Sequence, residues 1–276
     1  MVIGLAFASN TAHAGAYILA GTDSDDHGST SGVANIGGWL FMQRALENLS
    51  GAVTTSNKIV VSLGSDSSTQ AGNAAASSFG LSSLPGAGWT QVSINGAANI
   101  TSYLSGGTVG GANLGNTGII MLDSGDNVSG GLDTTEEAAL TAGAAALNGV
   151  ISAGGGLFSQ ANSYGFLGAL IPGAAATDLG TGGDGDAVTK TGAGNLAFPT
   201  LSDADLSTGP WHAFFTGIGS TPVLATSLAG GDTLRNVIIG NSSGDIVTNA
   251  PEPASMALLG VGLAGLGMAR RRRGKA

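Results

Sequence analysis

The 276-residue chain contains no cysteine, which excludes disulfides, thiolate metal sites and any cysteine nucleophile. Aromatic residues make up only 5% of it and charged residues only 10%, where an ordinary globular domain carries roughly 25% charge. Positive charge is scarcest in the body. Five of the nine basic residues, Arg270, Arg271, Arg272, Arg273 and Lys275, stand in the last seven positions. Only Arg44, Lys58, Lys190 and Arg235 remain upstream, against seventeen carboxylates. A body this acidic repels nucleic acid and anionic headgroups, so nucleic-acid binding is set aside. What the chain has in quantity is glycine, 49 residues, and enough apolar content, 42%, to build a core. Few charges with abundant small polar residues suit an extracellular protein.

The ends carry the targeting information. "MVIGLAFASNTAHAGAY" opens with a short apolar run, and Ala12-His13-Ala14 has the small-x-small pattern of a signal-peptidase site. The leading positive charge of a signal peptide is missing. Residues 1–14 are therefore expected to be a leader whose start lies inside the true one, with mature protein beginning near Gly15. At the other end, Pro251-Glu252-Pro253 cannot continue a helix and holds the chain extended. Residues 254–269 follow without a charge, about 24 Å as a helix at a rise of about 1.5 Å per residue. That falls short of the roughly 30 Å hydrocarbon core, so the span is marginal and transient. Arg270, Arg271, Arg272 and Arg273 stay cytoplasmic under the positive-inside rule, leaving the body on the outer side.

Pro-Glu-Pro, a short Gly/Leu/Ala-rich span and a terminal Arg cluster, in that order, resemble the PEP-CTERM sorting signal. The resemblance implies recognition by exosortase, a membrane transpeptidase-like protease. It also implies a Gram-negative host, usually one that makes exopolysaccharide, and release to or attachment at the cell surface. The expected partners are then signal peptidase, exosortase, exopolysaccharide or other surface proteins, and the inner membrane transiently through residues 254–269.

The body, residues 15–249, reads as one α/β domain. Strand-like runs occur at 17–20 (YILA), 58–63 (KIVVSL), 89–94, 118–122 (GIIML) and from 157. Helical spacing alternates with them. Trp39, Met42, Leu46 and Leu49 share one face of 38–49; 69–79 is Ala-rich; 100–104 is short. Thr134 and Glu137 suggest a capping box opening a helix over 136–153 that ends in Gly154-Gly155-Gly156. Repeated β-α-β units of this length imply a three-layer sandwich, a mainly parallel sheet with helices on both faces. Residues 173–195 read as Gly-rich loop. Further strands are expected at 213–215, 222–225 and 236–239, completing the sheet or extending it antiparallel.

A helix running into "GGGLFSQANSYGFLGALIPG", with a short acidic loop after "GIIMLD", resembles the class I glutamine amidotransferase-like and ThuA-like domains over residues 15–173. The resemblance implies a flavodoxin-like arrangement. Amidotransferases use a cysteine nucleophile after a strand, and this chain has none.

In open parallel sheets, ligands collect beyond the carboxyl ends of the strands. Asp23, Asp25, Asp26 and His27 follow the first strand, Asp66 the second, Asp123 and Asp126 the fourth, and Ser159, Gln160 and Asn162 the fifth. Asp23, Asp25, Asp123 and Asp126 form an oxygen-rich candidate metal set, suited to a hard cation such as calcium. Asp, Asn and Ser also follow strands because they turn the chain. "DSDDHG" starts like an EF-hand, but His27 replaces a ligand and Ala34 stands where the bidentate Glu belongs. Asp184 and Asp186 lack the repeats of calcium-binding nonapeptides. Ser159 is the candidate nucleophile, with His212 or His27 as base, although "LFSQA" is not a Gly-x-Ser-x-Gly elbow. Two functions follow: a non-catalytic surface or matrix protein that binds a ligand or partner, or a secreted hydrolase centred on Ser159 or a metal.

Overall fold

The computed structural model describes residues 15–125, 130–160, 164–178, 187–207, 212–228 and 233–241. The chain divides into two units, Met1–Ile246 and Val247–Ala276. The second unit, with Pro251, Glu252, Pro253, the expected span and the Arg cluster, lies outside the described residues, as do the leader, Asp126, Asn162, Asp184 and Asp186. Among the described residues no helix is long and apolar enough to cross a membrane.

Apolar runs and glycine breaks set the elements. β1 (Ala16–Ala20) is buried throughout. A small hairpin follows, β2 (Gly28–Ser31) and β3 (Ala34–Gly37), turned at Gly32, whose φ of 63° favours glycine. α1 (Gly38–Ala52) buries Trp39, Phe41, Met42, Leu46 and Leu49 on one stripe. β4 (Ile59–Leu63) leads to α2 (Gln70–Gly80), where Thr69 Oγ1 caps the helix by accepting from Gly72 N at 3.2 Å. β5 (Thr90–Ile94), α3 (Ala97–Leu104) and β6 (Thr117–Leu122) come next. All six β6 residues are buried, as a strand covered on both faces requires.

The helix expected over 136–153 is two: α4 (Thr134–Ala142) and α5 (Ala144–Ser152). A Cβ at Gly143 would lie 2.4 Å from Leu104 Cδ1, so α3 packs into the break. The cap is one residue earlier than expected. Asp133 accepts from Thr135 N and Glu136 N, and Glu136 returns the bond to Asp133 N at 2.9 Å. β7 (Gly156–Ser159) closes the parallel series.

The stretch read as loop, 173–195, is more ordered than its composition suggests. After α6 (Leu167–Leu170) it holds β8 (Ala175–Asp178), β9 (Val188–Lys190) and α7 (Gly192–Ala197). Residues 179–186 lie outside the description. α8 (Asp203–Leu206), β10 (Ala213–Thr216), β11 (Val223–Ser227) and β12 (Arg235–Gly240) finish the body.

Ten strands form one mixed sheet. β5, β4, β6, β7 and β1 lie side by side in that order, all parallel. β12 then pairs antiparallel with β1, and β10 and β8 continue antiparallel. β11 takes the other edge of β12 and carries β9. Of the two arrangements left open for the late strands, the structure shows an antiparallel extension within the same sheet. α1, α2, α7 and α8 cover one face, around Ile18, Met121 and Phe158. α3 to α6 cover the other, around Leu19, Leu122 and Leu157. Phe41 meets Phe158 and Phe198 edge-on at 5.7 and 5.6 Å, contacts worth about 0.5–1.5 kcal/mol each beyond burial.

One connection shapes the site. Asp25, in the loop after β1, accepts from Ser124 N in the loop after β6, so this loop crosses the carboxyl end of β7, which lies between those strands.

Candidate functional site

β4 and β6 are neighbours whose following helices, α2 and α4, pack on opposite faces. Such a point opens a crevice at the strand ends. Ser65, two residues past β4, donates to Asp123 Oδ2 at 2.5 Å across it. Beside Asp123, the backbone N–H of Ser124 donates to Asp25 Oδ2 at 3.0 Å. That bond ties the crossing loop down over the end of β7. Trp39 Nε1 donates to the Asp25 carbonyl at 2.8 Å, and Gly38 N to the His27 carbonyl at 2.8 Å, so the start of α1 holds the loop from above. Leu132 N donates to Ser124 O at 2.6 Å, which fixes the return of the β6 loop.

Strand register places Gln160 next to Asp123. Ser159 pairs with Leu122 on one side and Leu19 on the other, so the following residues, Asp123 and Ala20, flank Gln160. Alternation puts Asp123 and Gln160 on the α1 face, with Met121 and Phe158. Ser159 falls on the opposite face with Leu157. Tyr164 donates its hydroxyl to the Ala20 carbonyl and, at 3.3 Å, to that of Ser159, pinning the ends of β1 and β7 together.

The centre is closed to solvent. Asp25, Asp123, Ser124, Ser159 and Gln160 each have 0% exposure. Burial, reinforced by the charge of Asp23, pushes the Asp25 carboxyl up to about 7 against the opposing bond from Ser124. Burial and the neighbouring Asp25 carboxylate hold Asp123 well above the usual carboxylate range. Asp25 Oδ1, Asp123 Oδ1 and both amide atoms of Gln160 are buried without a hydrogen-bond partner among the described residues. Buried polar atoms are nearly always paired, so this concentration marks the site.

A second, more open cluster adjoins it. Asp23 Oδ2 receives His212 Nε2 at 2.9 Å and His27 Nε2 at 3.4 Å. His212 is held at the edge of β1 by its own N–H, which donates to Gly21 O at 2.7 Å.

The structure thus gathers Asp23, Asp25 and Asp123 in loops over adjacent strand ends and joins His212 to Asp23. Among the described residues, no three His, Asp or Glu side chains are arranged to hold a metal. Asp66 serves its turn instead, accepting from Ser68 N and Oγ at 2.9 and 2.8 Å. Ser65 and Ser124 escaped sequence reasoning, because a serine after a strand is common and nothing nearby distinguishes these two. Glu136, which closes the cap with Asp133 where Glu137 was expected to, also accepts from Gly96 N through Oε1 at 2.6 Å, joining α4 to the start of α3.

The body is a mixed α/β domain with an acidic centre roofed at its parallel strand ends. Beyond it, residues 249–273 match the PEP-CTERM protein-sorting motif, which supports reading the tail as a signal for export and exosortase processing. No curated protein matches the chain, and no solved structure does.

Proposed function

We propose that this chain is a cell-surface or extracellular-matrix protein of a Gram-negative bacterium, cut by exosortase at its C-terminal signal, with a body that binds rather than catalyses. The observation that carries the destination is the sorting motif at 249–273. The closure of the strand ends supports the non-catalytic body, since Asp25, Asp123 and Ser159 are fully buried where a substrate would have to reach. Mass spectrometry of the surface-exposed protein tests the first part. The expected form ends upstream of Arg270, and recovery of intact Arg270, Arg271, Arg272 and Arg273 on the mature form would refute cleavage.

The strand order supports a flavodoxin-like arrangement of the body. Counted from β4, the parallel strands read 2-1-3-4-5, the flavodoxin order, with β1 occupying the fifth place. The usual first strand of that series, β4, thus comes second in the parallel set of this chain, after β1, whose following loop roofs the site.

A secreted hydrolase using Ser159 or a metal is the second reading, favoured by the His212–Asp23 pair at 2.9 Å, the orientation a general base requires. A panel of esters, amides, glycosides and phosphoesters separates the two. Turnover by the native protein that vanishes in both Ser159→Ala and His212→Ala would establish the hydrolase; no turnover supports the binding domain.

A further inference from the structure

Two fully buried carboxylates side by side need a counter-charge whenever both are ionised, and the body's basic residues do not supply it. Arg44 pairs with Glu47 at 2.5 Å, Lys58 Nζ bonds the Ala87 carbonyl, and Lys190 Nζ bonds Phe198 O and Leu201 O. Arg235 lies over the Phe214 ring, 4.6 Å from its centre. The two histidines of the neighbourhood converge on Asp23. Leaving buried charges uncompensated costs several kcal/mol per ion.

Gln160 adds an independent sign. Its carboxamide is fully buried with neither the oxygen nor the nitrogen bonded among the described residues. Gln160 follows Ser159, whose register partner Leu122 directly precedes Asp123; Asp123 Oδ1 is unpaired, as is that of Asp25. A buried, unbonded carboxamide beside an aspartate pair offers oxygen ligands of the kind a hard cation takes, and two negative charges match a divalent one. The geometry points to a buried divalent-cation site in which Asp25, Asp123 and the Gln160 side-chain oxygen hold an oxygen-seeking metal ion. This rests on reading the body as a binding domain and names what it binds.

Such an ion links two strand ends and the crossing loop, so its role is to lock the roof over β6 and β7. It also differs from the set that the sequence alone suggests. Asp23 is engaged by histidines, and Gln160 takes its place.

The test uses the full chain, stripped with EDTA and titrated separately with calcium chloride and magnesium chloride under calorimetry and thermal melting. One ion is expected per chain, with the midpoint rising about 5 °C or more at a hundredfold excess over Kd. The double variant Asp25→Asn, Asp123→Asn should melt at one temperature in EDTA, calcium and magnesium alike. Gln160→Glu gives an answer of opposite sign for the two cases. With the site present, it lowers the midpoint in EDTA and raises it in the binding metal, because an added carboxylate strengthens coordination. Without the site, it lowers the midpoint in every condition. Identical melting of the native chain in EDTA, calcium and magnesium, with no heat of binding, overturns the proposal. That failure is distinct from failure of the surface-protein reading, which is decided by the mass of the processed tail.

Discussion

Asp25 Oδ2 accepts the backbone N–H of Ser124 at 3.0 Å, joining the loop after β1 to the loop after β6 across the end of the strand that separates them. That bond draws the loop after β1 over the end of β7. The start of α1 holds the same loop, Trp39 Nε1 donating to the Asp25 carbonyl and Gly38 N to that of His27. The carboxylate only fixes where the crossing loop settles.

Asp25→Ala removes the acceptor and leaves the buried Ser124 N–H unpaired. The expected loss is about 1–3 kcal/mol, the desolvation cost of an unsatisfied backbone donor. Asp25→Asn keeps an acceptor in place and should lose clearly less in metal-free buffer. Urea denaturation of the two variants in EDTA checks the difference, and equal losses would mean that the bond contributes nothing.

Ser65→Ala tests the crevice between β4 and β6. It removes the donor to Asp123 Oδ2 at 2.5 Å, which opposes the upward push of burial on that carboxyl. Stability should fall by about 1–3 kcal/mol. Ser65→Thr retains the hydroxyl and is expected to recover most of it.

The parallel half of the sheet was legible because its strands are short, uninterrupted apolar runs, such as IVVSL at β4 and TGIIML at β6, separated by helices with one apolar stripe. The antiparallel half was only partly so. AATD at β8 and VTK at β9 have too little apolar alternation to stand out, and they become strands by pairing with β10 and β11. GSTS and ANIG in the β2–β3 hairpin are silent for the same reason. The break at Gly143 depends on a contact with Leu104, remote in sequence. At the site, the polar residues after each strand could be named, but which of them meet depends on strand order. Periodicity does not encode that order.

Gly21→Ala should be among the most damaging single substitutions in the body. Gly21 joins β1 to the crossing loop, and its carbonyl accepts both His212 N and Ala213 N, at 2.7 and 3.0 Å. A Cβ there would lie 1.8 Å from the Ala213 carbonyl oxygen, a backbone atom that cannot rotate away. β10 would have to separate from β1, carrying His212 away from Asp23. A loss of about 3 kcal/mol or more, or failure to fold, is expected from overpacking of this severity. Native-like melting of Gly21→Ala would contradict the close approach of the two strands.

Stability of the metal-free protein should fall as pH rises from about 4 to about 7. The folded Asp25 carboxyl is raised to about 7 by burial and by Asp23, whereas an unfolded aspartate titrates near 3.9. Between those values the folded state keeps a proton that the unfolded state has released. Protons then favour folding: the stabilisation is complete below about pH 4 and gone above the folded value. The slope approaches about 1.4 kcal/mol per pH unit for each such proton. Asp123, also raised well above its ordinary value, steepens the decline. Urea denaturation in EDTA across pH 4 to 8 should therefore show a falling curve, flattened in the Asp25→Asn, Asp123→Asn double variant, whose amides do not titrate. A bound divalent ion works in the opposite direction, since it requires both carboxylates ionised, and saturating metal should restore stability most at the alkaline end of the range. A metal-free curve that rises across this window would mean that these two carboxylates are already ionised in the folded protein and compensated by some other charge.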